Sequence, residues 1–96
     1  MPLLGKDEVR ERLSSLPDWK EQQGEIIRNL EFPDFVAAMD FVNSVAAKAE
    51  AAGHHPDIDI RYNRVRLALV SHDAGGLTQR DFDLAAAIEG LFDSAP

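Results

Sequence analysis

The stretch EAAGHHPDIDIRYNRVRLALVSHDAGG, residues 50–76, changes its period part-way along, and that change decides the fold. Up to Ala52 the apolar residues recur every three or four positions, the spacing of one helix face. After Pro56 they recur at every second position, the spacing of a strand with one packed face. Ile58, Ile60 and Tyr62 alternate with Asp57, Asp59 and Arg61. After a tight Asn63–Arg64 connection, Val65, Leu67 and Leu69 alternate with Arg64, Arg66, Ala68 and Val70. Two such runs around a short turn read as a β-hairpin. The junction between the two periods is Gly53-His54-His55-Pro56, and His72 follows the second run. The three histidines of the chain therefore fall at a helix exit and at a strand end.

Working outward, Phe35, Ala38, Met39, Val42, Val45, Ala46 and Ala49 form one apolar stripe and predict a long amphipathic helix from Pro33 to Ala52. Pro33 suits its first turn, Asp34 and Glu31 complement its positive end, and Gly53 suits a left-handed cap that stops it. Upstream, DWKEQQGEIIRNLEF (18–32) predicts two short strands around a turn near Gly24, and Val9, Leu13 and Leu16 predict a short first helix over 6–15, ended by Pro17. Downstream, LTQRDFDLAAAIEGLF (77–92) predicts a final helix entered through a Thr78/Asp81 capping pair, with Leu84, Ala85, Ile88, Leu91 and Phe92 as its stripe. The order helix, strand, strand, helix, strand, strand, helix implies one α+β domain over residues 1–96. Its four-stranded antiparallel sheet is covered by helices on one face.

Composition narrows the function. Ninety-six residues with a net charge of −7, from 10 Lys+Arg against 17 Asp+Glu and without a basic run, do not suit direct contact with nucleic acid. With no cysteine, disulfides, thiolate metal sites and cysteine nucleophiles are excluded. The opening MPLLGKDEVRERL turns charged after four residues and no segment is long enough to span a bilayer, so a cytoplasmic location without membrane contact is expected.

If Tyr62 and Val65 flank the hairpin turn, the end of the second strand returns beside the start of the first, and His72 comes close to the His54, His55, Pro56 corner. Singly, each imidazole could cap a carbonyl or lie in solvent. Together, they could hold zinc, although adjacent residues rarely aim two rings at one ion. Metal-free acid/base chemistry suits histidine better, because imidazole changes charge near neutrality. Glu50, one turn before His54, could orient a ring. Asp81 has an ordinary explanation as the capping carboxylate, Asp73 as a loop residue, and Trp19 as a core or interface anchor. These patterns specify an acid/base pocket and no substrate.

At these residues the sequence resembles the pterin-4a-carbinolamine dehydratase family. The resemblance rests on Glu50, His54-His55-Pro56, Tyr62, His72 and Asp81 at their spacing, with YNRV and GLTQRDFDLA around them, and it runs from Trp19 to Phe92. Gly53 departs from it, since members often carry aspartate or asparagine there. The resemblance implies the α+β fold already read and the dehydration of a 4a-hydroxytetrahydropterin to quinonoid dihydropterin without metal or organic cofactor, in tetrahydrobiopterin recycling. It implies His54 and His72 as the acid/base pair and His55 as a third catalytic histidine. The pterin would be bound by Gly53, His54, His55, Pro56, Val70, Ser71, His72 and Asp73, supported by Glu50 and Asp81. It also implies a homodimer or homotetramer. Two other readings stay open: a non-catalytic dimerisation module, and a dehydratase-like protein acting on a different pterin, such as one of molybdenum cofactor metabolism.

Overall fold

The structure, a computed structural model, describes residues 2–92; residues 1 and 93–96 of the expected 1–96 domain lie outside the described residues. The elements are α1 (Lys6–Leu13), β1 (Trp19–Gln22), β2 (Glu25–Glu31), α2 (Phe35–Ala52), β3 (Asp57–Arg61), β4 (Arg64–Leu69), a 3₁₀ turn (His72–Ala74) and α3 (Gln79–Glu89). The strands form one antiparallel sheet in the order β1-β2-β4-β3. This is the α+β architecture that the periods imply.

Both hairpins close through two-residue turns, with positive φ at both residues of the first and only at Tyr62 of the second. Gln23 and Gly24 link β1 to β2 with φ of 53° and 81°, the positive-φ geometry whose twist matches that of the strands. Between β3 and β4 the paired residues nearest the turn are Arg61 and Arg64, so the turn is Tyr62–Asn63, one residue earlier than expected. Asn63 explains the shift. Its side-chain amide donates to the Phe32 carbonyl at 2.8 Å, and its own carbonyl accepts the Phe32 N–H at 2.9 Å. Those bonds hold Asn63 in the turn and leave Tyr62 outside the strand, exposed, with φ of 52°. The alternation itself survives, since Ile58 faces Leu67 and Ile60 faces Val65 across the ladder.

Helix boundaries also differ in detail. Asp34 is the N-cap of α2, accepting the Ala37 N–H at 2.8 Å, so Pro33 precedes the helix. The buried face of α2 is Ala38, Phe41, Val45 and Ala49, whereas Phe35 and Ala46 of the expected stripe are exposed. Phe41 is the residue that the expected stripe omitted, and it turns the face by packing on Phe32 and Phe92, with ring centroids at 5.1 and 5.4 Å. α1 stops at Leu13 rather than residue 15, because Leu16 N–H bonds the Leu13 carbonyl in a tight turn that leads into Pro17.

Trp19, Ile26, Val65, Leu67 and Leu69 put one sheet face into a core with α2 and with Leu84, Ala85 and Ile88 of α3. Val9 and Leu13 of α1 pack against the same cluster. Trp19 is the core anchor. Its indole N–H donates to Glu89 Oε1 at 2.7 Å, and Arg28 Nε donates to the same oxygen at 2.9 Å. One carboxylate thus ties the end of α3 to β1 and β2. Among the described residues no helix is long and apolar enough to cross a membrane. Replacing Glu89 with alanine strands a buried indole donor and removes the closest partner of the Arg28 guanidinium, and should lower unfolding free energy by about 2 kcal/mol in urea titrations followed by Trp19 fluorescence.

Candidate active site

The site begins where α2 stops. Gly53 takes φ 64° and ψ 30°, a left-handed cap whose N–H bonds back into the last turn. The chain then leaves the helix at an angle that sends His54 inward and His55 outward: His54 retains 9% exposure, whereas His55 is exposed. Pro56 follows, half-buried, and β3 begins at Asp57. The β3–β4 register pairs Asp57 with Ala68, and continuing it sets residue 54 opposite residue 71.

Asp81 joins those two ends of the hairpin. His54 Nε2 lies 2.6 Å from Asp81 Oδ1, and Ser71 Oγ donates to Asp81 Oδ2 at 3.0 Å. The Thr78 N–H donates to the same Oδ2 at 2.9 Å, completing the capping box of α3. Asp81 is fully buried, as are Ser71 and Thr78. An ionised carboxylate can only accept, so Nε2 of His54 carries a hydrogen and the ring's free nitrogen is Nδ1. Among the described residues Nδ1 makes no hydrogen bond, and it is not among the buried unpaired atoms, which leaves it open to solvent. The hydroxyls follow in order. Arg80 N–H donates to Thr78 Oγ1 at 3.3 Å, the Thr78 and Ser71 oxygens are 2.8 Å apart, and Ser71 spends its hydrogen on Asp81. Every buried member of this chain is satisfied, the condition under which a buried polar network is rigid.

His72 follows Ser71 in the 3₁₀ turn. Its ring is exposed, and among the described residues it makes no hydrogen bond. The Ser71 carbonyl collects the N–H groups of Ala74, Gly75 and Gly76, so the turn folds tightly over the end of β4. Val70 is half-buried just before it. Asp73, on the far side of His72, is exposed and accepts from Arg80 Nη2 at 2.5 Å; this bond holds the Asp73 carboxyl below the usual aspartate range. His55 Nε2 lies 2.5 Å from Glu50 Oε2, so Glu50 does hold an imidazole, the outward one.

The structure thus joins Glu50 to His55, and brings His54, Ser71 and Asp81 into one bonded cluster with His72 on its rim. Thr78 and Arg80 were missed as parts of the site. Thr78 was visible only as a helix cap, and nothing in the spacing of the sequence marks Arg80. No three His, Asp or Glu side chains among the described residues are grouped to hold a metal ion. Two concavities of about 470 and 480 Å³ lie elsewhere, one beside α1 and one beside Arg64 and Arg66, and neither is lined by a histidine. Chemistry rather than concavity marks the site.

Residues 2–91 match the family described as pterin 4 alpha carbinolamine dehydratase. The chain belongs to that family. A relative from Acidobacterium capsulatum is 74% identical over 95% of this chain and 99% of its own, and one from Chloroflexus aurantiacus is 61% identical over 95% and 98%; both are named, provisionally, pterin-4-alpha-carbinolamine dehydratases. Among solved structures, a transcriptional coactivator/pterin dehydratase from Brucella melitensis superposes with a TM-score of 0.88 at 32% identity, covering 93% of this chain and 97% of that one. A pterin dehydratase-like RuBisCO assembly factor of the alpha-carboxysome shares the fold, with a TM-score of 0.62 at 20% identity over 80% and 89%.

Nothing lies within 4 Å of where a Gly53 side chain would begin, so substitution there meets only torsional cost. Gly53→Ala should lower stability by about 1 kcal/mol and Gly53→Asn by less, in denaturant titrations run side by side. The Asp73 carboxyl should titrate below the ordinary aspartate range in a carbon-detected NMR titration. Because its folded value is depressed, whatever the Arg80 pair contributes is present at neutral pH. That contribution is lost as the pH falls through Asp73's own lower value.

Proposed function

We propose that this protein dehydrates 4a-hydroxytetrahydropterin to quinonoid dihydropterin and water, the reaction for which its family is described. The observation that carries this reading is the His54–Asp81 bond. A buried carboxylate fixes one nitrogen of His54 as a donor and leaves the other free, and it also holds Ser71, the neighbour of His72. An imidazole held this way can pass a proton at Nδ1 without turning.

The reaction needs two proton movements. The C4a–O bond breaks as the hydroxyl takes up a proton and leaves as water; the proton on N5 is removed, and its electron pair forms the C4a=N5 double bond. No oxidation state changes, so the chemistry calls for no redox cofactor. In this reading His54 and His72 exchange those protons with the substrate, and Asp81 stabilises His54 whenever its ring is charged. His55, steered by Glu50, positions the pterin and shares proton transfer. Gly53 to Pro56 and Val70 to Asp73 line the pterin, with their backbone groups against its amide edge.

A scaffold role is the competing reading, and the name of the Brucella melitensis relative includes one. The buried cluster favours catalysis. A pure interaction module would gain more stability from apolar side chains at 54, 71 and 81 than from a desolvated carboxylate and imidazole. Assembly into a homodimer or homotetramer belongs to the same proposal and draws support from the exposed Phe35, Val36 and Ile58. A cytoplasmic address and a place in tetrahydrobiopterin recycling complete it.

The test follows dehydration of 4a-hydroxytetrahydropterin, generated in place by an aromatic amino acid hydroxylase, by its ultraviolet change. Wild type should accelerate the reaction, and His54→Ala and His72→Ala should each lose about 10²-fold or more while remaining folded by circular dichroism. A wild-type rate equal to the uncatalysed one would sink the proposal in favour of the scaffold or of another pterin.

A further inference from the structure

The ring of His72 reaches the surface with no bond of its own, yet the residues on either side of it are both held by the first turn of α3. Ser71 is tied to Asp81, and Asp73 is tied to Arg80, one position earlier on the helix. Arg80 is itself fixed at its backbone, where its N–H donates to Thr78 Oγ1 inside the buried hydroxyl chain. We infer that Arg80 is a positioning residue that holds His72 in place by clamping its neighbour Asp73 to the start of α3. The inference rests on the dehydratase reading for its catalytic consequence, and on geometry alone for the clamp.

The alternative use for Arg80 is stability, and two observations weigh against it. The Asp73 side chain is 71% exposed, and ion pairs at such positions are screened and contribute little to folding. The Arg80 Nε is moreover buried without any hydrogen-bond partner, an arrangement that costs stability. A side chain that leaves one donor unpaired inside and spends another on an exposed carboxylate is poorly explained by folding energy. It is well explained by geometry. The guanidinium spans from the helix start to the far side of the His72 turn, and so closes the second of two side-chain grips on a segment whose ring, among the described residues, makes no hydrogen bond of its own. The lowered acidity range of Asp73 agrees with a pair that stays charged at neutral pH.

Arg80→Met removes both the clamp and the unpaired donor, while Arg80→Lys keeps a cation that can reach Asp73. In the full-length protein, Arg80→Met should keep or raise the melting temperature and lower kcat about tenfold with little change in KM, and Arg80→Lys should recover most of that loss. Added to His72→Ala, Arg80→Met should cost nothing more; added to His54→Ala, it should still lower the rate. The imidazole carbon and nitrogen signals of His72 should shift and broaden in Arg80→Met and return in Arg80→Lys. A melting temperature that falls with the rate, losses that multiply with His72→Ala, or unchanged His72 signals would each overturn the inference. If wild type shows no dehydration, the dehydratase reading fails, and the His72 signals alone then decide whether Arg80 holds that ring.

Discussion

The constraint on which this structure depends is the satisfaction of one buried carboxylate. Asp81 has no exposed surface and takes hydrogen bonds from three element ends: the exit of α2 through His54, the end of β4 through Ser71, and the start of α3 through Thr78. A carboxylate left unpaired in such a place would cost several kcal/mol, so each donor must be delivered together with the others. The long helix, the hairpin and the last helix are therefore registered against one another at the point where the proposed chemistry occurs. Fold and site share that determinant, because the carboxylate that caps α3 through Oδ2 holds the imidazole through Oδ1.

The opposite end of α3 follows the same logic with less burial. Glu89 accepts from Trp19 and Arg28, which lie opposite one another in the β1–β2 ladder. α3 is thus pinned to the sheet at both termini, with Leu84, Ala85 and Ile88 packed between. A helix fixed at two points cannot slide by a turn without breaking both sets of bonds. Its first residues can then serve as a rigid edge for the His72 turn. That rigidity is what a proton-transfer site needs, since small displacements of a catalytic group weaken it steeply.

Much of this was legible in the sequence, and the reasons differ by element. The switch from three-and-four spacing to alternation at Gly53–Pro56 located the α2–β3 junction, because burying one face forces each period. The hairpin geometry then carried His72 toward His54 even though its turn was placed one residue late; the missing fact was the grip of Asn63 on Phe32, a contact across 31 positions with no local sign. Phe41 was overlooked for a related reason. Its place on the helix is set by Phe32 and Phe92, which arrive from elsewhere in the chain. Spacing alone marked only one of the two roles of Asp81, and its support of the site came from the family resemblance. The Thr-x-x-Asp spacing announces a capping box, and a carboxylate with spare lone pairs gives no further signal until Ser71 and His54 are folded against it.

This double role bears on how such a site is read at all. A capping carboxylate on an exposed helix start needs only its own backbone partners, and solvent covers the rest. Here the start of α3 lies under the end of β4 and the exit of α2, so solvent is removed and the unused lone pairs of Asp81 must find protein donors. Ser71 fills one, with Thr78 behind it, and His54 fills the other. Burial of an ordinary cap thus creates the demand that orients the histidine. The left-handed turn at Gly53 ends the arriving helix and delivers the histidine that follows it. No separate element is required for the site: it arises where three element ends are buried against one carboxylate.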